Sequence, residues 1–302
     1  MSVLTGKTIT WLATALGCLL VLGLQHLGIH PVPASALVTV FLVGAFVTLE
    51  VGGACGPSIM CGSFAGMSFL PDLLLQPACD LTGRTGMLFS LLLSVVVGIV
   101  YLCTHSLSER YPNIMLNGFG GKLGATAFAA TFLCTTGARA VLGLPYTPCF
   151  SWSEILSHLH DNLFSTITFF SIAASVAGAV VPLVVQGRGI YRLTANGRVV
   201  VTALWGLCIG GMLLVIPVHG GTLAGCWYMG TFVSMTAIEV ISPLPFLMVA
   251  GVLTSVLITI LKIPFHGFGG VLGLSALLSV IVTCRLEPLR LHLRNRLLPD
   301  RS

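Results

Sequence analysis

Charge is scarce in this sequence: Asp, Glu, Lys and Arg together make up 8% of its 302 residues, against roughly a quarter in an ordinary soluble domain. Hydrophobic residues make up 56%, and the mean hydropathy is +1.01. A soluble fold has no interior large enough to hide that much apolar surface. Because apolar runs long enough to cross a bilayer recur along the whole chain, the sequence predicts a protein whose solvent is lipid.

Motifs that carry enzymatic or metal chemistry are also missing. The sequence contains no GxSxG, HExxH or Walker-type loop. It contains no Cys-x-x-Cys, and most of its cysteines lie within apolar segments, where they act as small packing residues. Cys79 and Cys149, in predicted exterior loops, leave a disulfide open. His158, His160 and Asp161 have metal-binding side chains, but an amphipathic exterior helix explains them equally well. We therefore predict no enzyme, no cofactor and no metal site.

Hydropathy and turn signals predict an all-α polytopic membrane protein with about ten transmembrane helices. The predicted spans are residues 8–29, 35–51, 54–72, 86–104, 116–138, 163–185, 199–217, 222–240, 243–261 and 265–284. Lys and Arg concentrate on the side of the two termini, whereas Arg84, Arg139 and Lys262 fall on the other side. This asymmetry predicts a bacterial-type inner (cytoplasmic) membrane with both termini in the cytoplasm.

A pair of motifs occurs twice in the same order. Residues 52–68 recur as residues 220–236, and residues 118–127 recur as residues 267–276 with seven identities in ten positions. The chain is therefore predicted to be duplicated. We assign residues 1–145 to the first half, 146–162 to an exterior connection and 163–302 to the second half.

The orientation of the two halves depends on the number of crossings between a motif and its copy. Five predicted spans separate them, an odd number, so the halves are predicted to be inverted. Inverted repeats place a binding or permeation site near the midplane, between the halves. An alternative stays open, in which residues 54–72 and 222–240 form re-entrant hairpins and the repeats are parallel.

The duplicated motifs supply most of the candidate substrate-binding residues. Their glycines allow close helix packing or a broken helix that lines a cavity, and both interpretations stay open. Their hydroxyl groups fall at matching positions, where they could donate symmetry-related hydrogen bonds in a pore, although each could also bond to its own helix. The candidates are Gly120, Gly121, Gly269, Gly270 and the pairs Ser63 with Thr231, Ser68 with Thr236, and Thr126 with Ser275.

Ionisable groups at membrane depth are costly and therefore suggest function. Lys122 lies inside the second motif, where the other copy has Val271, so motif packing does not require it. Snorkelling toward an interface is the alternative explanation. Glu50 and Glu239 end predicted spans, and His219 could titrate near neutral pH. We include Lys122, Glu50 and His219 among the candidate binding residues.

The two Gly-Phe-Gly-Gly-x-Leu-Gly segments, residues 118–124 and 267–273, resemble motifs of the urea-transporter family. The resemblance implies ten spans in two inverted halves of five helices each. That family also carries an Asn-Pro signature in each half, which this sequence lacks, so its selectivity residues are not transferred. What the resemblance implies is a channel-like or carrier-like 5+5 fold.

Together these features predict a channel or secondary transporter for a small polar solute, with its site between the repeats. The competing hypothesis is a structural or assembly subunit of a larger membrane complex, in which the glycines serve packing alone. The predicted partners are the lipid bilayer and an unidentified small solute. Nucleic acid is not predicted as a partner, and homo-oligomerisation stays open.

Overall fold

The computed structural model describes residues 3–49, 55–74, 83–111, 116–143, 153, 156–157, 165–186, 193–237, 240–241 and 244–297. The regular structure in these residues is helical, as predicted. The helices are α1 (Val3–His26), α2 (Pro31–Thr48), α3 (Gly56–Gly66), α4 (Leu70–Leu74), α5 (Arg84–Arg110), α6 (Lys122–Leu142), α7 (Thr166–Gln186), α8 (Ala195–Leu213), α9 (Gly220–Ser234), α10 (Leu244–Leu261) and α11 (Val271–Leu297). Helix α8 includes a π-helical turn at Gly206–Gly210.

Seven of the described helices, α1, α2, α5, α6, α7, α8 and α10, are long and apolar enough to cross a membrane. Large apolar side chains such as Phe41, Val141 and Phe169 are exposed on the outside of the bundle, where only lipid would make their exposure favourable. The apolar part of α11, Val271–Leu286, is shorter. The chain is therefore an all-helical, multi-pass membrane protein.

The predicted spans 54–72 and 222–240 contain shorter helices than hydropathy suggests. Helices α3 and α9 have 11 and 15 residues, which gives lengths of about 16 and 22 Å, short of the roughly 30 Å of a bilayer core. Almost every residue of both helices is buried. They form the centre of the bundle, and longer helices surround them.

Glycines let these two short helices approach their neighbours closely. A Cβ atom on Gly62 of α3 would overlap the backbone carbonyl of Thr14 in α1. The corresponding glycine of the second half, Gly230 in α9, touches the carbonyl of Ser175 in α7 in the same way. Equivalent residues of the two motif copies therefore make equivalent packing contacts in the two halves.

Candidate functional site

The second motif of each half forms a glycine-rich loop that leads into a helix, and the two loops meet. Gly121 and Gly270 precede α6 and α11 with φ angles of +83° and +85°, a conformation that side chains with a Cβ atom rarely adopt. A Cβ atom on Gly121 would overlap the carbonyl oxygen of Gly273. On Gly270 it would overlap that of Gly124. The glycine-rich interface is thus a direct contact between the backbones of α6 and α11.

Each loop also bonds to the segment that follows a short helix of the other half. The loop before α11 bonds to the segment that follows α3: the backbone N–H of Gly269 donates to Ser68 Oγ at 3.0 Å. The backbone N–H of Phe69 donates to the carbonyl of Gly267 at 2.8 Å. The hydroxyl of Ser68, just beyond the end of α3, therefore already accepts a hydrogen bond from the loop that precedes α11.

The loop before α6 makes the same two bonds to the segment that follows α9. The N–H of Gly120 donates to Thr236 Oγ1 at 3.2 Å, and the N–H of Ala237 donates to the carbonyl of Gly118 at 2.7 Å. The predicted pair of Ser68 and Thr236 therefore occupies equivalent positions. Both side chains are buried, and their oxygens accept from loop backbone.

The remaining paired hydroxyls also bond within the protein. Ser63 Oγ lies 3.0 Å from Ser35 Oγ, inside the core. Thr231 and Ser275 are buried and donate to carbonyls of their own helices, as does Thr126. Of the six predicted hydroxyls, Thr126 alone lines one of the two polar cavities described next.

One cavity, the Lys122 cavity, has a volume of about 490 Å³. The Lys122 ammonium donates to Ser108 Oγ at 2.6 Å and to Asn117 Oδ1 at 2.7 Å. The predicted candidate is thus half-buried and lies next to the glycine loop that begins at Gly118. Other residues that line this cavity are Tyr101, His105, Glu109, Thr126 and Ala195.

A second cavity, the Lys262 cavity, has a volume of about 580 Å³ and lies beside the other glycine loop. It includes the predicted His219, an exposed residue at the N-terminal boundary of α9. The other polar residues that line this cavity come from separate helices and loops, so no sequence pattern connects them. They include Thr222, Ser255, Thr259, Lys262 and His266.

The two cavities open at opposite ends of α8. Ala195, the first residue of α8, lines the Lys122 cavity. The last residue, Leu213, contacts Gly220, which begins α9 directly after His219 of the Lys262 cavity. A helix of 19 residues is about 28 Å long. The cavities therefore lie on opposite faces of the bundle.

Several predicted features fall outside the described residues: Glu50, Glu239, the pair Cys79 and Cys149, and the cluster of His158, His160 and Asp161. Within the described part of the chain, no group of three or more His, Cys, Asp or Glu side chains is arranged to hold a metal ion. Ser68 also lines a smaller cavity of about 200 Å³, together with Gln25 and His26, whereas Lys122, Thr126 and His219 line the two larger polar cavities.

Comparison with known proteins adds no relative from which a role could be transferred. No protein-family model matches the chain, no curated protein matches it, and no solved structure is similar to it.

Proposed function

We propose that this protein is a channel or secondary transporter for a small polar solute, with its site between the two halves. The observation that supports this proposal is the pair of polar cavities, which open on opposite faces, each beside one copy of the glycine-rich loop. The closely packed glycine interface lies between the halves. Such an arrangement suits a permeation path that is closed at its centre and accessible from either side.

The architecture we propose is an inverted repeat of five helices in each half, as the resemblance to urea transporters implies. Helix α3 begins at Gly56, whose N–H donates to Asn196 Oδ1 near the start of α8 at 2.8 Å. Helix α9 begins at Gly220, next to the end of α8. Since α3 and α9 carry the two copies of one motif, these copies run in opposite directions. This supports inversion over the parallel alternative.

The first prediction concerns membrane orientation. With the Lys and Arg excess inside, reporter fusions after Arg198 and after Ser302 should both report a cytoplasmic location. Arg198 lies in the first turn of α8, on the face of the Lys122 cavity, so this cavity should be cytoplasmic and the Lys262 cavity exterior. An exterior signal at either fusion would contradict the ten-span arrangement.

The competing hypothesis is a structural or assembly subunit, and one observation favours it. The glycines at the interface contact backbone atoms rather than a cavity, so close packing accounts for them without any solute. Under that interpretation Lys122, whose counterpart in the other half is Val271, serves only to hold the structure through its hydrogen bonds to Ser108 and Asn117. The two hypotheses therefore differ in what they require of Lys122.

The second prediction separates these hypotheses through Lys122→Val. The motif already accommodates Val271 at the equivalent position, so we expect the variant to insert and fold. In proteoliposomes tested against a panel of radiolabelled anions, cations and neutral solutes, it should lose flux or change solute preference, because the cavity loses its ammonium. Lys7→Val is the matched control, since Lys7 is an exposed residue of α1 that lines neither polar cavity.

Two results would count against the proposal. If the parent protein transports no solute of the panel, the transport hypothesis fails and the assembly hypothesis gains support. If Lys122→Val and Lys7→Val both match the parent in flux and preference, Lys122 has no part in solute selection.

A further inference from the structure

Lys262 differs from Lys122 in its surroundings. It follows the C-terminal end of α10, is exposed, and lines its cavity. Within the described residues its ammonium makes neither a hydrogen bond nor an ion pair, whereas that of Lys122 is held by Ser108 and Asn117. The part of the chain that the structure describes therefore leaves the positive charge of Lys262 unpaired in this cavity.

The described lining of this cavity contains no carboxylate to neutralise that charge. None of the described residues that line it is Asp or Glu. The carboxylate of Asp72 is not part of this lining, but its Oδ2 atom lies 2.6 Å from Nδ1 of His266, a lining residue. A cation that entered the cavity would be repelled by the Lys262 ammonium, and the described lining itself supplies no carboxylate to offset that repulsion.

Neutral hydrogen-bond donors face the same space. Ser255, in the wall formed by α10, is 1% exposed. Its hydroxyl makes no well-aligned hydrogen bond among the described residues and has only the nearby thiol of Cys226 as a weak partner. A ligand oxygen that accepts its proton would be a stronger partner for this buried hydroxyl. Thr222, in the first turn of α9, adds a second hydroxyl to the lining.

The N-terminus of α9 adds partial positive charge to the same region. His219 makes no side-chain hydrogen bond to cap this 15-residue helix. The N–H of Gly220 already donates to the carbonyl of Ile216, but the helix dipole still places partial positive charge at the first turn. His30, in the turn between α1 and α2, lies against Gly221 in that first turn. Burial lowers the pKa of His30, and repulsion by the Lys262 charge lowers it further, so part of this shift reflects the unfavourable approach of a second positive charge.

From this arrangement we propose that the Lys262 cavity binds a small oxyanion. Its negative oxygens would pair with the Lys262 ammonium and accept from the Ser255 and Thr222 hydroxyls, next to the start of α9. The cavity, at about 580 Å³, is within the usual range for small-molecule sites. This deepens the proposed function: if the protein is a transporter, its solute is anionic and loads on the face of Lys262.

Two sources could supply such an oxyanion, a free solute or the phosphate of an anionic lipid headgroup, and one experiment separates them. The full chain is reconstituted into nanodiscs of phosphatidylcholine, and thermal unfolding is followed while sodium sulfate or sodium phosphate replaces an equal ionic strength of a bulky sulfonate buffer. A binding anion should raise the unfolding midpoint saturably. The measurement is repeated with phosphatidylglycerol included in the bilayer.

Lys262→Gln should require an anion concentration at least about 10-fold higher for half of the effect, as expected for the loss of a charged hydrogen bond. Ser255→Ala should need a concentration several-fold higher. Arg84→Gln is the charge-matched control and should behave as the parent does, since Arg84 is exposed and does not line the cavity. Sulfate also stabilises proteins by exclusion from their surface, and the Lys262→Gln protein measures this baseline.

The outcomes decide between the possibilities. A saturable response in phosphatidylcholine that depends on Lys262 supports a free oxyanion. A response replaced by tight retention of phosphatidylglycerol in the parent, but not in Lys262→Gln, assigns the site to lipid headgroups. Equal responses in the parent and in Lys262→Gln, or none in either, would overturn the proposal. The unfolding assay measures binding, so absence of flux in proteoliposomes would count against transport but leave the anion site standing. Flux of a cation or a neutral solute without anion binding would support transport and overturn the anion site.

Discussion

Leucine at Gly121 or at Gly270 should sharply lower the yield of folded protein. Both residues have positive φ angles, which cost a residue with a Cβ atom roughly 1–2 kcal/mol. Both also touch the backbone of the opposite half, so a side chain must push α6 and α11 apart, which costs about 1–3 kcal/mol or more. The sum is a large fraction of the roughly 5–15 kcal/mol that stabilises a typical domain.

The measurement is the yield of monodisperse protein in size-exclusion chromatography of detergent extracts, followed by thermal unfolding of whatever is recovered. Gly137→Leu is the matched control, because Gly137 lies in the same helix as Lys122 and has open space around its Cα atom. Its yield should equal that of the parent. Leucine at Gly120 or at Gly269 should be tolerated equally poorly, because a Cβ atom on either glycine would overlap backbone carbonyl groups of the other motif copy. If Gly121→Leu and Gly270→Leu fold and function as the parent does, neither packing nor a cavity-lining backbone explains the glycine motif.

Replacing Arg139 by methionine should lower the free energy of unfolding by about 3–5 kcal/mol. Arg139 lies near the end of α6 and is 4% exposed, a rare environment for an arginine. Its Nε donates to the carbonyl of Leu73 at 2.7 Å and its Nη2 to that of Asp72 at 3.2 Å. Methionine fills similar space but leaves both carbonyls of α4 without their donors.

Thermal and denaturant unfolding in detergent would test this expectation, with Arg84→Met as the control. Arg84 is exposed at the start of α5, so its replacement should change stability by less than about 0.5 kcal/mol. Arg139→Lys should fall between the two, because lysine keeps the charge but not the fork of donors. A destabilisation of Arg139→Met no greater than that of Arg84→Met would show that these hydrogen bonds contribute little.

The sequence predicted the class of the protein but not the lengths of its central helices. The spans 54–72 and 222–240 were assigned from hydropathy, and the residues that follow α3 and α9, such as Met67, Phe69 and Met235, are apolar enough to extend the pattern. In the structure the chain leaves the helix at these positions, where the N–H of Phe69 donates to the carbonyl of Gly267 and the N–H of Ala237 donates to the carbonyl of Gly118, each in the glycine loop of the other motif copy. A hydropathy average contains no information about such a long-range partner.

Only part of the candidate site is visible in the sequence, because the rest depends on contacts between distant segments. The self-similarity of the motifs identified Lys122 and the glycines, since a repeat is visible in one dimension. The Lys262 cavity is formed by residues from the starts of α7 and α9 and the end of α10, and only folding brings them together. Lys262 itself appeared in the sequence as one more exterior charge. The burial of the Ser255 hydroxyl cannot be recognised before the wall that buries it is known.

The hydrogen bonds exchanged between the halves also bear on the ancestry of the chain. The loop of each half fits the end of the short helix of the other, Gly269 with Ser68 and Gly120 with Thr236, so the contact is self-complementary in the way of an isologous dimer interface. Under the inverted repeat that we propose, two copies of one half-length polypeptide, inserted in opposite directions, would make the same contact before their genes were joined. Fusion would then require a linker but no new interface. Each copy would be free to diverge afterwards, as Lys122 and Val271 differ within one motif.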